Sequence, residues 1–149
     1  MSGSRHVARL RRRLLAQGVV LPRKKPTQRE RAFQQQGFDF LDYALIPPAW
    51  SFCIPGGHKV VTTAPGYRSG FPDGGILFQG LTFFLEFKDG DDGELSDDQI
   101  VCHERLEKAG FPVAIIRRLE DIEVACFRWQ IPLRAHITPT GAWVRTDPA

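Results

Sequence analysis

The spacing of hydrophobic and polar positions changes several times along the chain, and each change predicts an element. In "TQRERAFQQQGFDFLDYA" Thr27 is an N-cap and Glu30 sits at N3, a T-x-x-E capping box that opens a helix running to about Ala44. "IPPAW" breaks it, and "WSFCI" reads as a strand. "GGILF" and "LTFFL" are the unbroken apolar runs of strands interior to a sheet, set either side of Gln79-Gly80, a two-residue hairpin turn. The glycine-punctuated stretch "PGGHKVVTTAPGYRSG" before them is a long loop with room for an extra short strand. After them "DGDDGEL" is a flexible exit. Ser96 as N-cap, Gln99 closing the box and a Leu95–Ile100 staple mark the start of a helix that ends near Ala109, with Gly110 as its stop. "FPVAIIR" is the next strand and "LEDIEVACFRW" the next helix. Residues 5 to 17 suit a short basic helix, and "VVLPRKKP" reads as a linker.

A helix joining the strand at 82 to 88 to the strand at 112 to 117 calls for a parallel, right-handed crossover, whereas the hairpin is antiparallel. The expected fold is therefore α/β: a mixed central β-sheet flanked by helices on both faces.

The hairpin register brings chemistry together. With Gln79 and Gly80 at the turn, residue 78 faces 81, 77 faces 82, and Asp73 faces Glu86, their side chains about 5 Å apart on one surface of the ribbon. Lys88 shares that surface, while Phe83, Leu85 and Phe87 point to the other, greasy one. Two carboxylates so placed repel by about 3 kcal/mol at an effective dielectric of about 20. A shared proton, Lys88 or a bound divalent cation could each compensate. A solvated surface cluster is the plain alternative, but the flanking runs are those of buried strands, where unemployed carboxylates are rare.

Charge adds a second feature. Residues 1 to 31 hold ten Lys and Arg against Glu30 alone, while the remaining residues carry a net negative charge. This suggests a basic arm for a polyanion on a mildly acidic body. An organellar transit peptide has a similar composition, but here the charge runs on through "LPRKKPTQRER" into the domain instead of ending at a cleavage-like site. The 149 residues make one ordinary domain, and no apolar run nears the roughly 20 residues of a membrane span. Cys53, Cys102 and Cys126 are scattered and suit reduced, buried thiols in a cytosolic protein. The four histidines show no ligand spacing. The acidic loop fails as a calcium-binding EF-hand, because Glu94 and Ile100 stand where Gly and Glu are needed. No P-loop, GxGxxG or nucleophilic triad is present.

"GFPDGGILF", "FFLEFK", "GELSDDQ" and "LEKAGFPVAIIRRLEDI", in this order, resemble the VRR-Nuc group of PD-(D/E)XK nucleases, found in phage and bacterial stand-alone proteins and in the Fanconi-associated nuclease. The likeness covers Thr27 to Pro132, leaving residues 1–26 as a basic arm and 133–149 as a tail. It implies a restriction-endonuclease-like core and a metal-dependent, structure-selective DNA endonuclease. By that resemblance Asp73, Glu86 and the Phe87 carbonyl are ligands for Mg²⁺ or Mn²⁺, Lys88 assists the attacking water, and Gln99 and Glu30 support the site. It also implies branched or junction DNA as substrate, as for a Holliday-junction resolvase, a homodimer as the working form, and the cytoplasm of a bacterium or phage-infected cell as the location.

Such a site suits phosphodiester hydrolysis, which needs a held phosphate oxygen, an acidified water and positive charge near the transition state. Lys88 could instead be a salt bridge to Glu86, and Gln99 and Glu30 have capping roles in any case. Arg68, between Gly66 and Gly70, and Lys59 with His58 are candidates for phosphate contacts, as are Arg11, Arg12, Arg13, Lys24 and Lys25 in the arm. His103, further along the Gln99 helix, reads as an exposed or half-buried helix residue. The competing function is a nucleic-acid-binding module on the same fold without catalysis.

Overall fold

The structure, a computed structural model, describes residues 9, 12–13, 16–17, 27–54 and 69–146. The expectations for Arg11, Lys24, Lys25, His58, Lys59, Arg68 and an extra strand before Ser69 lie outside these residues.

Helix α1 spans Gln28–Ala44. It starts at the expected cap, where Thr27 Oγ1 accepts the Glu30 N–H at 3.1 Å, and it ends with the Leu45 N–H on the Leu41 carbonyl at 2.8 Å. Strands β1 (Trp50–Cys53), β2 (Gly74–Phe78), β3 (Leu81–Phe87) and β4 (Val113–Ile116) form a sheet in the order β1-β2-β3-β4. β1, β2 and β3 are antiparallel neighbours, and β4 joins β3 in parallel after the chain has passed through α2 (Asp97–Lys108). Helix α3 (Glu120–Arg128) follows. The architecture is mixed α/β, as the order of elements predicts.

The hairpin pairs Phe78 with Leu81, Ile76 with Phe83 and Gly74 with Leu85. Gln79 and Gly80 both have positive φ, 50° and 77°, as a two-residue turn matched to strand twist requires. The register expected from the sequence is therefore the one formed, and it brings Asp73, just before Gly74, level with Glu86.

Helices cover both faces of the sheet. On one, the Phe87 ring packs 5.6 Å from that of Phe33 and 5.3 Å from that of Phe38. Gly37 permits this approach, since a Cβ there would overlap the Phe87 ring, and Ile122 of α3 closes the same spot. On the other, α2 lies over Glu86 and Lys88, so the polar side of the ribbon is buried too.

The core continues past Pro132. β5 (Ala135–Ile137) and β6 (Trp143–Arg145) form a separate antiparallel pair, with Ala135 and Ile137 buried. Trp143 packs against Phe40 and Tyr43, the Arg145 guanidinium lies 5.1 Å above the Tyr43 ring, and the Arg134 N–H bonds the Ala44 carbonyl at 2.8 Å. Of the cysteines only Cys126 is buried, its thiol pushed up to about 12 by burial and by Glu123, while Cys53 is exposed. No helix among the described residues is long and apolar enough to cross a membrane.

Candidate active site

Four segments converge at the end of β3: the strand with Glu86 and, directly after its last residue, Lys88; the loop carrying Asp73; the start of α1 with Glu30; and the first turns of α2. Glu86 is 1% exposed. Its Oε1 accepts a hydrogen bond from Gln99 Nε2 and lies 3.4 Å from Lys88 Nζ. Lys88 Nζ also donates to Gln99 Oε1 at 2.9 Å and lies 3.9 Å from Glu30 Oε1. Gln99 therefore has both roles that its position suggests: Oε1 takes the Ser96 N–H of the helix cap at 3.0 Å, and the same amide bridges Glu86 and Lys88. Glu30 divides its work similarly, its N–H going to the Thr27 cap and its carboxylate to Lys88.

Asp73 is tied to the strand next to Glu86. Its Oδ2 accepts the Phe87 N–H at 2.8 Å, and its carbonyl accepts the Ile54 N–H at 2.7 Å. The loop before it is clamped to α2. Ser69 Oγ donates to Asp98 Oδ2 at 2.5 Å, and Gly70, at φ 78°, packs so closely on the Asp98 carbonyl that no Cβ fits. Burial raises the Asp98 carboxyl, but hydrogen bonds from Ser69, Ser96 and the Asp98 and Gln99 backbone outweigh it and hold the group below its ordinary value. Adjacent residues of one helical turn thus hold both halves of the site, Asp98 the Asp73 loop and Gln99 the Glu86–Lys88 pair.

His103 belongs here as well. The expectation of an exposed or half-buried residue is not met: His103 is 8% exposed, and its Nε2 faces Glu86 Oε2 at 3.6 Å. Among the described residues these two are the buried side-chain atoms without a hydrogen-bond partner. The sequence held one signal, since His103 is four residues beyond Gln99 and so on the same helix face.

No family model, curated protein or solved structure matches the chain.

Asp73, Glu86 and Glu30 bring three formal negative charges against the one of Lys88, and Glu86 Oε2 is a buried acceptor in want of a partner. Among the described residues no three His, Cys, Asp or Glu side chains gather in metal-holding geometry. A site of the Mg²⁺ type needs only one or two carboxylates and completes its shell with water.

Of the candidate phosphate contacts, Arg12 and Arg13 are among the described residues. Arg12 Nε lies 3.2 Å from Asp97 Oδ1, and Arg13 is exposed. The acidic loop after β3 is held in place, with Arg117 Nη1 donating to the carbonyls of Gly90 at 3.0 Å and Gly93 at 2.5 Å.

Proposed function

We propose that the protein is a Mg²⁺- or Mn²⁺-dependent endonuclease that hydrolyses phosphodiester bonds in DNA. The observation that carries this reading is the placement of Lys88: a lysine 9% exposed, its ammonium held between Glu86, Gln99 and Glu30, directly after the strand to which Asp73 is tied. A buried ion pair of this kind adds little or no net stability over an apolar pair of the same volume, so folding alone gives no reason for it.

Asp73 and Glu86, with the Phe87 carbonyl, would hold the cation. When bound, it supplies Lewis-acid polarisation of a phosphate oxygen and acidifies water. Glu86, pinned at Oε1 by Gln99, keeps a fixed orientation. Lys88 presents a proton donor and a positive charge to the attacking water and to charge developing on the phosphate. Gln99 and Glu30 set the position of that ammonium. The basic arm supplies non-specific attraction for the backbone of DNA.

The resemblance of the sequence motifs to the VRR-Nuc nucleases extends the proposal to branched DNA as substrate, where a symmetric dimer would set two sites against opposed strands of a four-way junction. Incubation of purified protein with supercoiled plasmid, and with flap, junction, single-stranded and duplex oligonucleotides, in Mg²⁺, Mn²⁺ or EDTA, tests the activity. Cation-dependent cutting that Asp73→Asn abolishes supports it. DNA binding without cutting would make the protein a binding module on this fold. Light scattering that finds only monomer, with no cutting of junctions, would remove the resolvase part alone.

A further inference from the structure

We propose that His103 is a positioning residue for Glu86, its Nε2–H donating to Glu86 Oε2 and fixing the plane of the carboxylate that faces the cation; this rests on the metal-nuclease reading. The two atoms are buried, unpartnered among the described residues and 3.6 Å apart. Buried polar atoms left unpaired are rare and costly, and here one contact satisfies both. A closure of about 0.6 Å brings the pair to ordinary hydrogen-bond length, a tightening expected when a site fills.

The chemistry requires a donor at Nε2. A neutral imidazole with its proton on Nδ1 would turn a lone pair toward the carboxylate, whereas both the Nε2–H tautomer and the imidazolium donate. The role therefore does not depend on the charge of the ring. The need for it comes from the other side of Glu86. Gln99 and Lys88 both engage Oε1, and a carboxylate held at one oxygen can turn about χ3, a broad torsion. His103 holds the second oxygen through one lone pair and leaves another for the cation. Partners of this kind behind ligating groups change metal affinity by about 10–100-fold when removed.

Two measurements on the full chain test this. A long-range ¹H–¹⁵N spectrum of the His103 ring should show Nε2 protonated. Calorimetry with Mn²⁺ should show His103→Leu binding about 10–100-fold more weakly than wild type, with His103→Gln, which keeps an N–H donor, recovering most of the loss. At saturating Mn²⁺ the His103→Leu turnover should stay within about tenfold of wild type, so that the effect lies in cation affinity. An unprotonated Nε2, or a folded His103→Leu that binds Mn²⁺ as wild type does, overturns the proposal. Should His103→Leu fail to fold, His103→Gln against His103→Asn decides, because Asn withdraws the donor by one methylene: equal affinity in the two overturns the role. Wild type that binds no Mn²⁺ overturns the nuclease reading as well, an outcome distinct from failure of His103 alone.

Discussion

The Asp73 carboxylate accepts the Phe87 backbone N–H at 2.8 Å, so the loop before β2 is fastened to the strand position directly after Glu86. This bond gives Asp73 a structural task beside its proposed role as ligand, and the two can be separated. In Asp73→Asn the side-chain oxygen can still accept the N–H, with a weaker neutral bond, while the repulsion from Glu86 is relieved. Urea unfolding of the metal-free variant should fall within about 1 kcal/mol of wild type. The rise in Tm on adding Mg²⁺ and the cleavage should both be lost. Asp73→Ala, which leaves the Phe87 N–H without this acceptor, should cost about 1–3 kcal/mol. A loss of several kcal/mol in Asp73→Asn would make Asp73 chiefly a structural residue.

Lys88 should respond in the opposite sense. Among the described residues it is the cation closest to Glu86, which is 1% exposed, so Lys88→Met takes a counter-charge from a buried carboxylate. The metal-free protein should lose about 3–5 kcal/mol, and Lys88→Met with Glu86→Gln should recover most of it. Mg²⁺ should restore part of the stability of Lys88→Met, because both proposed ligands remain. Single-turnover cleavage should nevertheless fall by about two to four orders of magnitude. Cutting at the wild-type rate would remove Lys88 from the chemistry.

Asp98 makes the clamp on the Asp73 loop sensitive to acid. Its carboxyl is held below its ordinary value in the folded protein, so the ionised form is favoured by folding. That contribution is complete above the unfolded value of about 3.9 and is lost as the pH falls through the lower folded value. Urea midpoints measured from about pH 5 downward should therefore decline, and Asp98→Asn should decline less steeply over the same interval. Identical slopes for the two proteins would show that Asp98 is not part of the acid transition.

Much of this site was legible because its determinants are local. Gln79-Gly80 sets the register, and the register brings Asp73 level with Glu86 without any knowledge of the rest of the chain. Thr27 and Ser96 likewise mark helix starts through contacts three residues away. Burial of Lys88 and His103 depends instead on α2 lying across the sheet, a long-range packing choice that leaves little trace in a polar helix. The segment after Pro132 was opaque for a similar reason: β5 and β6 are three residues each, too short for a periodic pattern, and Trp143 finds its place only once α1 presents Phe40 and Tyr43. Nor does the acidic loop after β3 reveal that Arg117, well beyond it in sequence, will bind its carbonyls.

The basic arm is the proposed contact with the DNA backbone. Among its described residues, Arg12 pairs with Asp97, the two side chains 52% and 19% exposed, and Ala16 offers its carbonyl to Arg105 Nη2 at 2.5 Å. An ion pair this accessible is worth about 0–1 kcal/mol, so a DNA phosphate can displace Asp97 at little cost. Deleting residues 1–25 should weaken DNA binding and reduce the slope of log affinity against log salt by about 0.9 for each phosphate that the arm no longer neutralises. Turnover at saturating DNA should survive, since Asp73, Glu86 and Lys88 lie outside the deletion. Asp97→Asn should do the reverse of the deletion, raising affinity at low salt by freeing Arg12 and removing a negative charge. Fluorescence anisotropy with labelled DNA across a salt series reads all three proteins. A salt slope unchanged by the deletion would assign the arm to targeting or to a protein partner instead.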